Sequence, residues 1–510
     1  MKSIDYNFQQ KIAIVGGGPV GLALSIVLAK YNVPSVIFEL RGNPTLRTES
    51  RAITWMPRGL EFAEWIGLKS EIDALSVFRD KHEFWDANNK RLLMLSFKNL
   101  NSPYRYTAQL PQHDTEVLLE KAALKTGLVE IRRNHKVISV GNKSNQAYLQ
   151  VEGPKGVEEL LFPWAVGADG AKSLVRKQLG IKTKWRDYGM NSAVADFEMD
   201  IDMSCEVSTI VLDPKRPYGF FNFSPGHWRF IYRLNDGEER EEMTTESKAV
   251  SLLLEKKPDA RLKNFLWASA FRLGQAQSEK YREGKWLLVG DAAHAMGPSA
   301  GAGMMIGVLG AWRLGWRLAL AFNGHHLTDN ILRDYEKEQI EASNDIQNTN
   351  AIIFKNMAMK SNFLSVIRST GLRVAANFTT IAKNITEKEA LVKQVIPVQN
   401  SIDYQSMNSW VKKDKIGPWV TGKRIPYLKT ESDNQLVLPK SNYHTILSIG
   451  KQSIDIEKRI AKKISADFPF KSQIEVDMLK QSRVRTKSNS FVFAIVRPDQ
   501  HISCIIEVKE

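Results

Sequence analysis

The 510-residue chain is 43% hydrophobic and 25% charged, an ordinary globular composition with material for two or three domains. A formal net charge of +15 suits anionic partners, but no zinc-ligand spacing, RNA-binding signature or run of five basic residues accompanies it. Neither nucleic acid nor a metal centre is therefore expected, and two cysteines, Cys205 and Cys504, exclude a disulfide framework and point to a reducing compartment.

The start, MKSIDYNFQQ, is polar and has no apolar signal-peptide core. KIAIVGGGPVGLALSIVLAKYNVPSVIFE then reads as a strand from Lys11 to Val15, a glycine turn, a helix from Pro19 to Lys30 and a β-branched strand from Ser35 to Phe38. This is a βαβ unit. Residues 40–160 mix helical patterns such as PRGLEFAEWIGL with strand-like ones such as NQAYLQVEG, and a second apolar strand, LLFPWAVGADG, ends at Gly170. From about 185 to 275 alternation dominates, as in SAVADFEMDID and YGFFNFSPGHWRFIYRL, which predicts an antiparallel sheet with a solvated face. KYREGKWLLVGD returns to the buried-strand style and leads through GDAAHAMGPSAGAGMM into a helix. That apolar run, Met304 to Phe322, carries Arg313 and Arg317 and falls short as a membrane span. A soluble, cytoplasmic protein without stable membrane insertion is expected. Residues 325–400 are helical in pattern. From about 401 the chain turns Lys-rich, KKDKIGPWVTGKRIP marks the entry to a C-terminal domain, and strands return in YHTILSIG and SFVFAIVRPDQHISCIIEV.

Gly16-Gly17-Gly18-Pro19-Val20-Gly21 fits G-x-G-x-x-G. Gly16 permits the tight turn, Gly18 lets the backbone approach a pyrophosphate, and Gly21 lets helix and strand pack closely. The helix N-terminus offers free N–H groups to that anion. Glu39, at the end of the next strand, can accept from both hydroxyls of an adenosine ribose. NAD and FAD share this fingerprint, so two later stretches make the choice. Gly167 to Arg176, GADGAKSLVR, and Gly290 to Met305 each put an Asp, Asp169 or Asp291, directly after an apolar strand. In a doubly wound sheet these strand ends converge on the glycine loop. Asp291 could bind a ribityl hydroxyl, and the small residues after Pro298 would bring backbone N–H groups beside an isoalloxazine edge. A nicotinamide cofactor has no ribityl chain to need this.

These three stretches, in this order and spacing, resemble the group A flavin monooxygenases, the aromatic-hydroxylase family, over most of residues 10–345. The resemblance implies FAD held by Gly16, Gly18, Pro19, Val20, Gly21 and Glu39, with Arg51 at its phosphates. It puts Gln112 of LPQHDTE near the flavin and lets Val137 of NHKV touch adenine through its backbone. Asp169 and Gly170 belong to a motif serving both FAD and the pyridine nucleotide. The carbonyl of Pro298 is placed near flavin and substrate, the one position offered as catalytic, and Gly301, Gly303, Met304 and Met305 face the flavin's reactive edge. Where the family commonly has Asn this chain has Met305, and where it has Asp this chain has Gly310. Backbone contacts that tolerate any side chain are favoured as the reason, with altered reactivity as the alternative. GKRIP (422–426) and AIVRPDQHIS (494–503) resemble the thioredoxin-like C-terminal domain of the hydroxyphenylpropionate and polyketide hydroxylase branch. With Cys504 alone and no C-x-x-C, such a domain would be redox-silent.

The fold so implied is α/β. A Rossmann-like FAD-binding domain over 10–184 and 276–345 is interrupted by an antiparallel substrate-domain sheet over 185–275, followed by a helical segment over 346–400 and a thioredoxin-like domain over 401–510. The activity implied is hydroxylation of a small phenolic substrate by O2 through a flavin C4a-hydroperoxide, with NADPH or NADH as reductant. The alternatives are epoxidation, Baeyer–Villiger oxidation, oxidative drug inactivation or a non-catalytic FAD-binding protein, and homo-oligomer formation is left open. His294 is read as ordering its turn and Trp312 and Trp316 as core. Met357 and Met359, near Phe354 and Phe363, are read as cavity lining or helix packing, and Arg282 and Lys285 as surface charge.

Overall fold

The computed structural model describes residues 8, 10–49, 52–297, 302–357, 359, 362–376 and 379–391. Beyond these it describes 411–413, 415–416, 419–421, 423, 428–429, 436–437, 442–449, 454–467, 474–477 and 490–509.

The first sheet has six strands, in the order Arg282–Glu283, Trp286–Leu288, Trp164–Gly167, Ile12–Val15, Ser35–Glu39, Val129–Arg133. All pair in parallel except the Arg282–Glu283 edge. Every residue of the three central strands is buried, which is why they read as near-continuous apolar runs rather than alternating ones. Chain order reverses between Ile12–Val15 and Trp164–Gly167, so their carboxyl ends form the topological switch point of a doubly wound sheet.

Two helices lie together on this sheet, Pro19–Ala29 and Ala302–Phe322. They approach closely because Gly307 and Gly315 lack side chains. A Cβ at either would lie 2.6 Å from Val20 Cγ2 or 2.3 Å from Val27 Cγ1. Ala302–Phe322 is long and apolar enough to cross a membrane, but 94% of its most apolar stretch is buried inside the protein. Its charges are answered from the Thr328–Met357 helix. Arg317 donates to Glu338 Oε2 at 2.9 Å and Arg313 donates to Gln339. That helix runs unbroken across position 345, where the sequence suggested a boundary.

The second sheet has eight strands, in the order His294–Met296, Arg261–Ser278, Thr183–Asp200, His227–Arg233, Tyr218–Ser224, Val207–Val211, Lys81–Trp85, Arg91–Ser96. It therefore recruits a hairpin from 81–96 and a short strand at 294–296 besides the expected 185–275. One face is packed: Ala193, Ala195, Phe197, Phe220 and Phe230 meet Met243, Ala249, Leu252 and Leu253 of two covering helices. The other face is not the open solvated surface the alternation suggested. Its residues, such as Met190, Ser192, Val194, Phe221 and Phe271, line a cavity.

At the C-terminus, strands His444–Ile449 and Ile474–Asp477 pair in parallel around the Ile454–Asp467 helix. The antiparallel pair Ser490–Val496 and Ile502–Lys509 then adds to His444–Ile449, with Val411–Lys413 at the edge. The turn between that pair plugs into the rest of the molecule. Arg497 donates to Glu338 Oε1 at 2.7 Å and Oε2 at 3.0 Å, and Arg58 donates to the Asp499 carbonyl at 2.7 Å. Burial opposes the charge of Glu338, but Arg317 and Arg497 outweigh it and hold its pKa below the usual carboxylate value.

Candidate cofactor and substrate site

The glycine turn shows three glycines needed for three reasons. Gly16 has φ +108°, and a Cβ there would lie 2.4 Å from the Ala168 carbonyl oxygen. A Cβ on Gly21 would lie 2.1 Å from the Gly16 oxygen. Gly18 is the opposite case, because among the described residues a Cβ there would meet nothing within 4 Å. The space above it is open, at the start of a helix with Pro19 at its first position and no side chain capping its N–H groups. That is a cradle for an anion.

Glu39 is 6% exposed and fixed in place. Its Oε2 accepts from Gly17 N at 2.6 Å and its Oε1 from Arg41 N at 2.9 Å. A carboxylate keeps further lone pairs for a ribose hydroxyl. Gln112 donates to Glu116 Oε1 at 2.9 Å, Thr45 N donates to Glu116 Oε2 at 2.7 Å and Ala52 N donates to Gln112 Oε1 at 3.4 Å, so Thr45 and Ala52 are tied to the Gln112–Lys125 helix. Asp169 accepts from Ser173 Oγ at 2.5 Å and from Val175 N at 3.1 Å. It thus shapes its own turn while still lining the cavity. Arg176 joins the second motif to the third, donating to the Ala292 carbonyl at 2.9 Å and the Ala171 carbonyl at 2.8 Å. In the sequence Arg176 stands only as the end of its motif. Its role is to hold the loop that carries Asp291.

One cavity of about 1020 Å³ joins these parts. At one end it is lined by Gly16, Gly18, Pro19, Val20, Glu39 and Gln112, with Val137, Asp169, Gly170, Asp291, Gly303 and Met304. At the other end stand the sheet residues and Phe354 of the long helix. Gly21 lies behind the turn as packing. Arg51, Pro298 and Gly301 lie outside the described residues, as does the side chain of Met357.

Met305 does not face the cavity. It is fully buried, and its Sδ lies 2.2 Å from where a Cβ on Gly59 would be, so it packs on the Pro57–Ile66 helix. Gly310 does not face the cavity either. A Cβ there would lie 2.8 Å from Gln339 Nε2. Gln339 Nε2 is also 3.0 Å from His294 Nε2, so the His294 side chain is tied to the long helix. Burial lowers the pKa of His294 to about 4, so it is neutral at pH 7 and accepts at Nε2. Trp312 and Trp316 are core, as expected. Arg282 pairs with Asp329 at 2.7 Å, and Lys285 lies 4.2 Å over the Trp164 ring.

The sequence pattern of the FAD binding domain family matches residues 9–349. The chain belongs to that family. A protein of Bacillus subtilis named as an uncharacterized aromatic compound monooxygenase is 32% identical over 320 residues, 61% of this chain and 62% of its own length. Pentachlorophenol 4-monooxygenase of Sphingobium chlorophenolicum is 25% identical over 394 residues, 75% of this chain and 72% of its own length. The anhydrotetracycline hydroxylase of Streptomyces rimosus superposes with a TM-score of 0.72 at 22% identity, covering 96% of this chain and 94% of that one, which establishes a shared fold. Kinship with the group A flavin monooxygenases therefore stands, and the cofactor of the FAD-binding domain is FAD. The open cradle above Gly18, the buried Glu39 and the exposed Asp291 carboxylate at the cavity wall fit that group.

Proposed function

We propose that the protein is an FAD-dependent monooxygenase that uses NADPH or NADH and O2 to hydroxylate a small aromatic substrate. The observation that carries this reading is the single cavity, which runs from the glycine turn to an apolar, aromatic sheet face without a wall between them. Bound FAD supplies the redox and oxygen chemistry. The chain's own residues do the rest. The Pro19–Ala29 helix start receives the pyrophosphate, Glu39 the ribose and Asp291 the ribityl chain. Backbone N–H groups at Gly303 and Met304, which line the cavity, would meet the flavin edge. Met190, Val194, Ile210, Ile231 and Leu273 keep water from the ring that reacts. Arg51, Pro298 and Gly301 remain part of this proposed set.

The departures at Met305 and Gly310 would favour a non-catalytic FAD-binding protein only if they faced the cofactor. Neither residue reaches the cavity, so neither supports that reading. The C-terminal strand order, a βαβ unit extended by an antiparallel pair, supports a thioredoxin-like reading of that region. Two free cysteines support a cytoplasmic location. The test is NADPH oxidation by the purified yellow protein under ¹⁸O2 with a panel of phenols. Stimulated oxidation with one labelled oxygen in the product is expected. Flavin reduction that no phenol accelerates, with unaltered phenols recovered, would contradict the reading.

A further inference from the structure

The carboxylates that line the cavity, Glu39, Asp169 and Asp291, all stand at its cofactor end. Among the described residues the sheet end is lined by Arg79, Arg229, Arg233 and Arg272 and by no carboxylate. Three of these cations are compensated. Arg229 donates to both oxygens of Asp196, at 2.7 and 2.8 Å. Arg272 Nε donates to Asp187 Oδ2 at 2.6 Å. Arg233 donates to the carbonyls of Pro214 and Lys215; burial and the neighbouring Arg216 lower its pKa, and Asp236, Asp213 and Glu238 offset part of that.

Arg79 is different. It is 2% exposed, and among the described residues Cys205, but no carboxylate, favours its charge. Nη1 donates to Ser208 Oγ at 2.8 Å, Nη2 donates to the Asn222 carbonyl, and Nε has no acceptor among the described residues. A guanidinium has five N–H donors, so most of its capacity is unspent. The group lies 5.7 Å from the Phe221 ring centroid, and Phe221 and Ser208 line the cavity beside it. Burial lowers its pKa to about 9, so it is still charged at pH 7. Holding the Val77–Arg79 strand to its neighbours would need only a neutral donor. A buried, uncompensated cation is costly unless an anion completes it.

We propose that the substrate carries an anionic oxygen, a carboxylate or a phenolate, and that Arg79 binds it beside the Phe221 ring. The proposal rests on the monooxygenase reading of the cavity and narrows its substrate class. A planar guanidinium suits such a group because it can donate two parallel bonds to it.

The experiment measures dissociation constants on the FAD-loaded protein from the shift in flavin absorbance, for two matched ligand pairs. One pair is 3-hydroxybenzoate against 3-hydroxybenzyl alcohol, and the other is pentafluorophenolate against pentafluoroanisole. The pair that shows a gap tells carboxylate from phenolate. Wild-type protein is expected to bind the charged member of at least one pair about tenfold or more tightly than its neutral partner. Arg79→Met is expected to shrink that gap to about threefold or less, and Arg79→Lys to keep part of it. Arg79→Gln carries the same expectation as Arg79→Met should the latter fail to fold. Equal binding of both members of both pairs by the wild type would overturn the proposal, as would a gap that survives intact in a folded variant without the charge. Failure of the monooxygenase reading shows separately, as NADPH oxidation that no ligand stimulates whatever the binding constants.

Discussion

At the scale of single residues, the glycines of the cofactor cradle and Met305 make opposite demands. Gly18→Val would fill the open cradle and is expected to weaken FAD binding by about a hundredfold or more, as charge-assisted bonds to the pyrophosphate are lost. Titration of the apoprotein with FAD measures this, and unchanged affinity would contradict the cradle. Met305→Ala should instead leave FAD bound. Its fully buried side chain fills a contact with Gly59, so the expected effect is a stability loss of about 2–5 kcal/mol. Gly303 lines the cavity, and among the described residues a Cβ there would touch only Met296, at an ordinary 3.5 Å. Any effect of Gly303→Val therefore reads the cofactor's space rather than the protein's packing. The glycine turn was legible in the sequence because each glycine answers a local backbone requirement. Arg176 and Arg79 were not, because their partners lie far along the chain: Ala292 is 116 residues from Arg176, and Ser208 is 129 residues from Arg79. A lone Arg in a strand carries no periodic signal of such contacts. The direction of the Met305 side chain was equally hidden, since helical spacing does not say which helix packs against it.

At the scale of elements, the C-terminal turn that follows Ser490–Val496 is the joint that holds the last sheet to the FAD-binding domain. Its Arg497–Glu338 pair is 1% exposed on both sides. Removing one partner leaves a buried charge, so Arg497→Met is expected to cost about 3–5 kcal/mol and lower Tm. A melting curve unchanged from wild type would show that the joint carries no weight. Cys504 lies in the next strand, opposite Ile495. Burial raises its thiol pKa to about 11, so it stays protonated and unreactive at neutral pH. Cys504→Ser is expected to leave turnover within about twofold of wild type, because only a small packing change is made. Loss of turnover in the folded variant would show a thiol role. The tail motif VRPDQH was visible by resemblance, but its docking was not, because Glu338 lies 159 residues from Arg497. The period-two alternation of the second sheet was also visible. What covers its second face was not, since an alternating strand looks the same against water and against a ligand cavity.

At the scale of the whole molecule, packing three histidines in the interior sets an acid limit. Burial lowers His294 and His501 to about 4 and His444 to about 3, from an ordinary 6.5. Each binds a proton more readily when unfolded, so unfolding takes up protons as pH drops from 6.5 toward 4. Stability should be flat above neutrality and fall through that window, and Tm recorded across it measures the slope. A Tm that does not move would mean that these histidines are hydrated. The doubly wound order of the first sheet was readable from its motifs, because such sheets gather their ligands at the strand ends. The joining of that crevice to the second sheet in one cavity emerged only in three dimensions, and the proposed chemistry depends on it. The most direct test is to soak crystals of the FAD-loaded protein with a bromophenol and locate the bromine by its anomalous signal. The flavin ring is expected beside Gly303 and Met304, with the bromine between that ring and the sheet face at Phe221 and Phe271. A flavin ring outside this cavity, or a bromine bound only elsewhere, would contradict it.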